Sequence, residues 1–408
     1  ARQAEAELAA GFDRGPLHGI PWGAKDLLNA EGYPTSWGAV PYKDQRFSGD
    51  GHVTAKLRDA GAVLVAKLGM VELAGGMGYN QPNASLTGPG KSPWNVDSWA
   101  GGSSSGSGSA VGAGAVGFAI GSETWGSIVT PAAFCGISGL RPTYGRVSRR
   151  GAMALSWTLD KLGPMARSAD DCGLVLDVIA GHDPGDPTSA QRHFRYPDPT
   201  TRSSGFRIGV VSDKLDQCQP EVQANFEASL AVLAEFATLE DAELPDLPAN
   251  EVAGAIIQAE LSSLFEELMT SGDVRQLTAP EDRINGLASL ALPAHVYLRA
   301  LRIRRHISAA MDALCAKYDA LVAPTLPNVA SPIDQDFNAY FARANRSQLG
   351  AAANAAGLPG IAIPNGFGER GLPTSITFTG AAWSESSLLA IANAYQERTT
   401  WHQQQPQL

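Results

Sequence analysis

The chain is expected to be a layered α/β protein, and two observations predict this. Short apolar runs, Ala62 to Lys67 (AVLVAK), Phe206 to Val211 (FRIGVV) and Asp319 to Ala323 (DALVA), have the length and composition of buried strands. Between them lie segments whose apolar residues recur at the helical repeat, so strands and helices alternate. Of 408 residues, 44% are hydrophobic and 18% charged, which is enough apolar material for a large interior.

Taken in order, a helix over Val53 to Asp59 leads into the Ala62 to Lys67 strand. Ala110 to Ile120 then reads as a buried helix passing into a short strand, with Val111, Ala113, Ala115, Val116 and Phe118 expected inside. After the Phe206 strand, Pro220 suits a first helical turn. From there Val222, Phe226, Leu230, Leu233 and Phe236 follow the 3.6-residue period of one buried face. Glu251 to Leu292 carries helical apolar pieces (Ile256, Ile257, Leu261, Leu264, Phe265, Leu268), and two readings stay open for this region, a cap over a pocket and ordinary packing. A helix over His295 to Lys317 returns the chain to the Asp319 strand, with Arg302, Arg304, Arg305 and His306 on its solvated face.

Residues 101 to 127, GGSSSGSGSAVGAGAVGFAIGSETWGS, carry most of the functional information. A flexible linker of this composition would stay solvated, whereas this run passes directly into apolar residues. Glycine lets backbone approach a ligand closely, and serine hydroxyls supply donors, acceptors and a candidate nucleophile. Ser103 and Ser127 stand 24 positions apart, with a helix and a strand between them that can fold back and bring the two hydroxyls together. Upstream, PLHGIPWGAKDLL from Pro16 to Leu28 sets Lys25 among apolar and small residues.

With LHGIPWGAKD and GGSSSGS stand further blocks: Gly121 to Gly151, LDKLGPMARSADD from Leu159, AGHDPGDPTS from Ala180, and, later, YDALVAPTLP and AAGLPGIAIPNGF. In this order they resemble the amidase signature family, serine hydrolases that use a Ser, cis-Ser, Lys triad. The resemblance implies a large mixed sheet wrapped by helices and one domain over residues 1–408, with 251–292 as the capping candidate inside it. Residue by residue it makes Ser127 the nucleophile, Ser103 the bridging serine after a cis peptide from Gly102, and Lys25 the base. Backbone N–H groups of Thr124, Trp125, Gly126 and Ser127 would form the oxyanion hole. Apart from the resemblance, Ser104 reads as mainly structural, with a hydrogen bond into the triad network left open, and the Trp125 indole either faces the acyl pocket, the favoured reading, or packs behind the turn.

The chemistry needs these residue types. A serine hydroxyl attacks poorly until its proton is taken, and a lysine accepts a proton only when neutral. Burial must therefore pull Lys25 down from its ordinary value of about 10.4, and Ile20, Pro21 and Trp22 are the expected walls. No histidine is required, and His18, beside the Lys25 motif, reads as structural. Ser105 reads as structural too, and Asp26, Asp160 and Asp171 as ion-pair or capping residues.

Departures from the family pattern bear on substrate. Many relatives carry Asp-Thr-Gly-Gly-Ser-Ile-Arg around the nucleophile, where this chain has Glu123, Thr124, Trp125, Gly126, Ser127, Ile128, Val129. Met70, Val71, Glu72, Leu73 likewise stand in place of Met-Asp-Glu-Phe. With the missing glycine and arginine, this weakens the reading of the chain as part of a glutamine-using amidotransferase. Asn29 sits later than the asparagine of relatives, so polarity near Lys25 is expected to differ. The expected activity is hydrolysis of a C–N bond in a small or medium amide, with ester and carbamate left open; water and the amide are the partners, with no metal and no organic cofactor. Two rivals remain: Ser104 in Gly102 to Gly106 fits a G-x-S-x-G esterase elbow, although an apolar strand should precede it, and the fold could serve amide binding without catalysis.

A formal net charge of −10 argues against nucleic acid or an anionic membrane as principal partner. The apolar run Ala110 to Ile120 is too short and Gly-rich to span a bilayer. Cys135, Cys172, Cys218 and Cys315 show no metal spacing and read as reduced core thiols. ARQAEAELAAG resembles the end of a helix that ordinarily follows further residues, so the chain is expected to be N-terminally incomplete. A cytoplasmic location is the default expectation, and association into a homo-oligomer is left open.

Overall fold

Ten strands form one mixed sheet in the computed structural model, which describes residues 1–341 and 347–407. The first half of the chain contributes α1 (Arg2–Ala9), β1 (Pro21–Lys25), α2 (His52–Asp59), β2 (Val63–Leu68), β3 (Lys91–Ser92), β4 (Asn95–Trp99), α3 (Ser105–Gly112), β5 (Phe118–Glu123), α4 (Val129–Cys135), β6 (Ser138–Arg141), β7 (Lys161–Ala166) and α5 (Ala169–Ile179). There follow β8 (Phe206–Val210), α6 (Pro220–Leu233), β9 (Ala237–Asp241), α7 (Ala249–Leu264), α8 (Glu266–Ser271), α9 (Asp282–Ser289) and α10 (Ala294–Cys315). The last part holds β10 (Ala320–Pro324), α11 (Phe337–Phe341), α12 (Gln348–Ala356), β11 (Gly360–Phe367), β12 (Pro373–Thr379) and α13 (Glu385–Gln396).

The sheet order is β2-β1-β5-β7-β6-β11-β12-β10-β8-β9. β1 runs parallel to both β2 and β5, β8 runs parallel to β9 and β10, and the strands between alternate in direction. The mixed α/β sheet expected from the sequence is therefore present. Because β1 and β5 are parallel, with Ala24 opposite Ile120, their C-terminal ends finish together. Lys25 ends one strand, and Ser122 and Glu123 end the other. Outside the C-terminal ends of parallel strands is where α/β sheets place their sites.

Several elements differ from expectation in instructive ways. β2 is an edge strand and only half-buried, with Val65 exposed; an apolar run does not reveal whether a neighbour covers its second side. Ala115 is exposed and Ala113 half-buried, because the α3–β5 turn reaches the surface. Leu230 is half-buried, and Phe236 is buried beyond the end of α6. Of the basic group on α10, Arg302, Arg305 and His306 are exposed, but half-buried Arg304 donates to the carbonyls of Ala355 and Thr158. Cys135, Cys172 and Cys315 are buried, whereas Cys218 is partly exposed; all four are free thiols.

Candidate active site

Lys25 is fully buried, and its Nζ donates to Ser103 Oγ at 2.7 Å and to Ser122 Oγ at 2.9 Å. Burial pulls its pKa down to about 7, against the opposing attraction of Asp160 and Glu123. The expected walls are not the cause. Ile20 and Pro21 are exposed at the far end of β1, and Trp22 alone is buried, stacked on Phe118. What desolvates the amine is the cover of the Ser103 loop and of the β5 end, with β1 flanked on both edges by β2 and β5.

Ser103 follows a cis peptide bond from Gly102 and stands one residue before the Ser104 N-cap of α3. The small residues of α3 permit its position: a Cβ on Gly106 would stand 2.5 Å from the Gly69 carbonyl oxygen. Ser104 Oγ donates to the Ser122 carbonyl and accepts from the Ser122 N–H, so Ser104 supports the residue that Lys25 contacts. It is wholly buried and does not line the cleft. A strand, β4, precedes it, but with Val96 and Asp97 exposed it is not the apolar strand that an elbow follows, and it belongs to a two-stranded ribbon with β3.

From Glu123 the chain leaves β5 through Thr124–Ser127 and enters α4. Gly126 has φ of 89°, a conformation that only glycine adopts readily. Trp125 is not among the positive-φ residues, so a side chain is tolerated there. Glu123 closes this turn: its Oε2 accepts from the N–H groups of Ile128 and Val129 at 2.9 and 3.0 Å. The N–H groups of Trp125, Gly126 and Ser127 donate to no other described residue. Ser104 N–H donates to the Ser127 carbonyl at 3.3 Å, which seats the turn against the Ser103 loop. Among the described residues no hydrogen bond joins the hydroxyls of Ser103 and Ser127.

Glu123 is held from two further directions. Arg141 Nη1 and Asn354 Nδ2 both donate to its Oε1, at 2.8 and 3.0 Å, and Lys161 Nζ donates to Asn354 Oδ1 at 2.8 Å. Burial opposes its charge, yet Arg141 and Lys161 hold the carboxyl down at about 2. Lys161, also fully buried, is brought down to about 7 by desolvation and then by Arg141. Asp160 sits on the other side of the turn, taking hydrogen bonds from Thr124 Oγ1 at 2.5 Å and from the N–H groups of Leu155 and Ser156. Burial raises its pKa and the Thr124 hydroxyl opposes this.

Ser127 opens into a cleft of about 230 Å³ lined also by Gly102, Thr124, Trp125, Leu155, Ile257 and Gln258. Trp125, 40% exposed, borders this cleft and a recess of about 80 Å³ on its other side, where Arg141, Ser347 and Asn354 lie. Other sequence readings resolve plainly. His18 Nε2 lies 3.1 Å from Glu7, away from the site, Asp26 pairs with Lys67 at 2.7 Å, and Asp171 joins the Ser168 cap of α5. Asn29 makes backbone bonds to Gly51 and Gly151, and Ser122 is the additional polar neighbour of Lys25. Asp160, expected only to cap or pair, instead holds Thr124. Sequence reasoning misses Ser122 and Lys161, although both are polar residues at the ends of otherwise apolar strand runs, a pattern that could draw notice. Asn354 gives no such signal. Among the described residues there is no cluster able to hold a metal and no helix long and apolar enough to cross a membrane.

A family model described as Amidase matches residues 1–389. The chain is 36% identical over 443 residues to a glutamyl-tRNA(Gln) amidotransferase subunit from Moorella thermoacetica (strain ATCC 39073 / JCM 9320), covering all of this chain and 88% of that one. To the protein of the same name from Roseiflexus castenholzii (strain DSM 13941 / HLO8) it is 37% identical over 439 residues, again covering all of this chain and 88% of the other. The crystal structure of native peptide amidase from Stenotrophomonas maltophilia superposes with a TM-score of 0.83 at 33% identity, over 98% of this chain and 86% of that chain. With sequence and fold agreeing over nearly its whole length, the chain belongs to the Amidase family of amidase signature enzymes.

Proposed function

We propose that this chain hydrolyses the C–N bond of a small or medium amide through an acyl-enzyme on Ser127. The observation that carries the reading is the fully buried Lys25, lowered to about 7 and hydrogen-bonded to Ser103. In the neutral form it takes the Ser103 proton while Ser103 takes the proton of Ser127, whose oxygen attacks the carbonyl carbon. The N–H groups of the Thr124 to Ser127 turn receive the oxyanion, and losing one such donor typically costs about 10²–10³ in rate. Ser103 then returns a proton to the leaving amine as the C–N bond breaks. Water, deprotonated by the same relay, hydrolyses the ester and restores Ser127. Thr124 and Glu123 act as positioning residues, because their bonds to Asp160 and to the Ile128 and Val129 amides fix the turn.

The test combines an amide panel with mass spectrometry of protein treated with a sulfonyl fluoride. An adduct on Ser127 together with amide turnover is expected. An adduct on Ser104, or none on an active enzyme, overturns the assignment. The names of the curated relatives favour a second reading, in which the chain is one component of an amidotransferase; it predicts glutamine turnover that depends on further components. A non-catalytic amide-binding role predicts no turnover at all, although Lys25, Ser103 and Ser127 are all retained.

A further inference from the structure

The cleft above Ser127 differs from a general amide site in what its walls lack. Tyr79, Trp99 and Trp125 supply aromatic surface and Leu155 and Ile257 aliphatic surface, while the polar side chains besides Ser127 are the neutral Thr124, Thr130 and Gln258. Among its described lining residues there is no carboxylate, ammonium or guanidinium. The charged groups beneath the turn are already held within the protein: Glu123 by Arg141, Asp160 by the Thr124 hydroxyl and two backbone amides, and Lys25 by Ser103 and Ser122.

From these walls the geometry points to a substrate class: an uncharged carboxamide whose acyl part is one aromatic ring or a comparable branched aliphatic group. This inference rests on the hydrolase reading above. A free α-amino acid amide such as glutamine brings an ammonium and a carboxylate, and each must leave water without a countercharge, which is strongly unfavourable. An aromatic acyl group instead removes apolar area from water at roughly 25 cal/mol per Å² and stacks on indole or phenol faces. The cleft volume of about 230 Å³ lies below the about 300–1,000 Å³ usual for drug-sized ligands, which fits a body of one ring. α7 supplies one wall through Gly254, Ile257 and Gln258, so the 251–292 region helps to set this preference.

The experiment compares kcat/KM for benzamide and phenylacetamide with that for glutamine and succinamate, alongside sulfonyl fluoride labelling of Ser127 in the same protein. The neutral aromatic amides should exceed the charged ones by on the order of 100-fold or more, as expected for burial of an unpaired charge. Gln258→Arg, which puts a guanidinium in the α7 wall, should raise succinamate relative to phenylacetamide at least tenfold, while labelling of Ser127 persists. Glutamine turned over as fast as phenylacetamide overturns the substrate class and leaves the hydrolase reading standing. Labelling of Ser127 without turnover of either aromatic amide also overturns the class. Absence of both labelling and turnover of every amide overturns the hydrolase reading itself.

Discussion

Lys25 Nζ donates to Ser103 Oγ across 2.7 Å, joining the last residue of β1 to the loop ahead of α3. The contact is made where no water reaches the amine, and that burial brings the lysine to about 7. Activity and stability should therefore share one titration.

For kcat/KM on a neutral amide, the rate should rise with pH through about 7 and be lost in acid, because protonated Lys25 cannot accept from Ser103. The unfolded chain holds this proton up to about pH 10.4. Between the two values the unfolded state binds more protons, so stability rises with pH. The burial penalty is full below about 7 and fades toward about pH 10. The melting temperature of Lys25→Met minus that of the parent should be most positive at pH 6 and shrink toward pH 10. A difference that does not vary with pH would show that Lys25 keeps its proton in the folded state.

Removing relay members should separate amide from ester chemistry. Lys25→Ala should abolish amide turnover, a loss of about 10²–10⁴ or more for a general base. Ser103→Ala should retain measurable p-nitrophenyl ester cleavage, since a better leaving group needs less proton delivery. Both proteins should fold, as judged by circular dichroism. Near-normal amidase rates in Lys25→Ala at neutral pH would make the lysine structural.

Trp125 borders both the Ser127 cleft and the adjoining recess. Trp125→Gly should join these spaces, shift preference toward bulkier acyl groups and leave sulfonyl fluoride labelling of Ser127 intact. Uniform slowing of every substrate, with an unchanged ranking and a lower melting temperature, would instead mean that the indole only braces the turn.

Glu123 carries a paired charge that is wholly buried. Glu123→Ala leaves Arg141 without its partner and frees the Ile128 and Val129 amides. Breaking a buried pair in this way typically costs about 3–5 kcal/mol, and urea denaturation should show a loss of unfolding free energy of that size. The kcat of whatever protein remains folded should fall more than KM changes, because the proposed mechanism places the oxyanion on the N–H groups of this turn. A shift within experimental error would show that the pair contributes nothing to holding the turn.

Buried Asp282 on α9 is raised far above the carboxylate range by desolvation and by the neighbouring buried carboxyl of Glu72, with a smaller contribution from Glu281. Glu72 accepts from the Thr278 and Ala279 amides, and it precedes Ala74 and Gly75 of the cleft wall. The folded protein thus retains a proton that the unfolded chain releases near pH 4, so this group removes stability as pH rises from about 4 through neutrality. Asp282→Asn should gain melting temperature over the parent progressively from pH 5 to pH 8. An equal difference at both pH values would place the proton elsewhere.

Much of the fold and the candidate site is legible along the chain, because the signals are local. The helical repeat from Pro220 marks α6, apolar runs mark β2, β8 and β10, and the Gly/Ser segment and the Lys25 motif point to Ser103 and Lys25, which the fold joins by a hydrogen bond, as the Thr124 to Ser127 turn points to the cleft. What a residue faces on its second side is not legible, and it accounts for the half-buried β2, the anchored Arg304 and the misassigned walls of Lys25.

Only the tertiary structure decided the partners of the charges. Glu123 meets Arg141, Asn354 and Lys161, Asp160 meets Thr124, Lys25 meets Ser122, and Asp282 meets Glu72, pairs drawn from strands and helices far apart in sequence. The physical reason is that composition sets which side chains favour burial, but the energy of a buried charge depends on the few ångströms of surroundings that the sheet order and its parallel strand ends bring together.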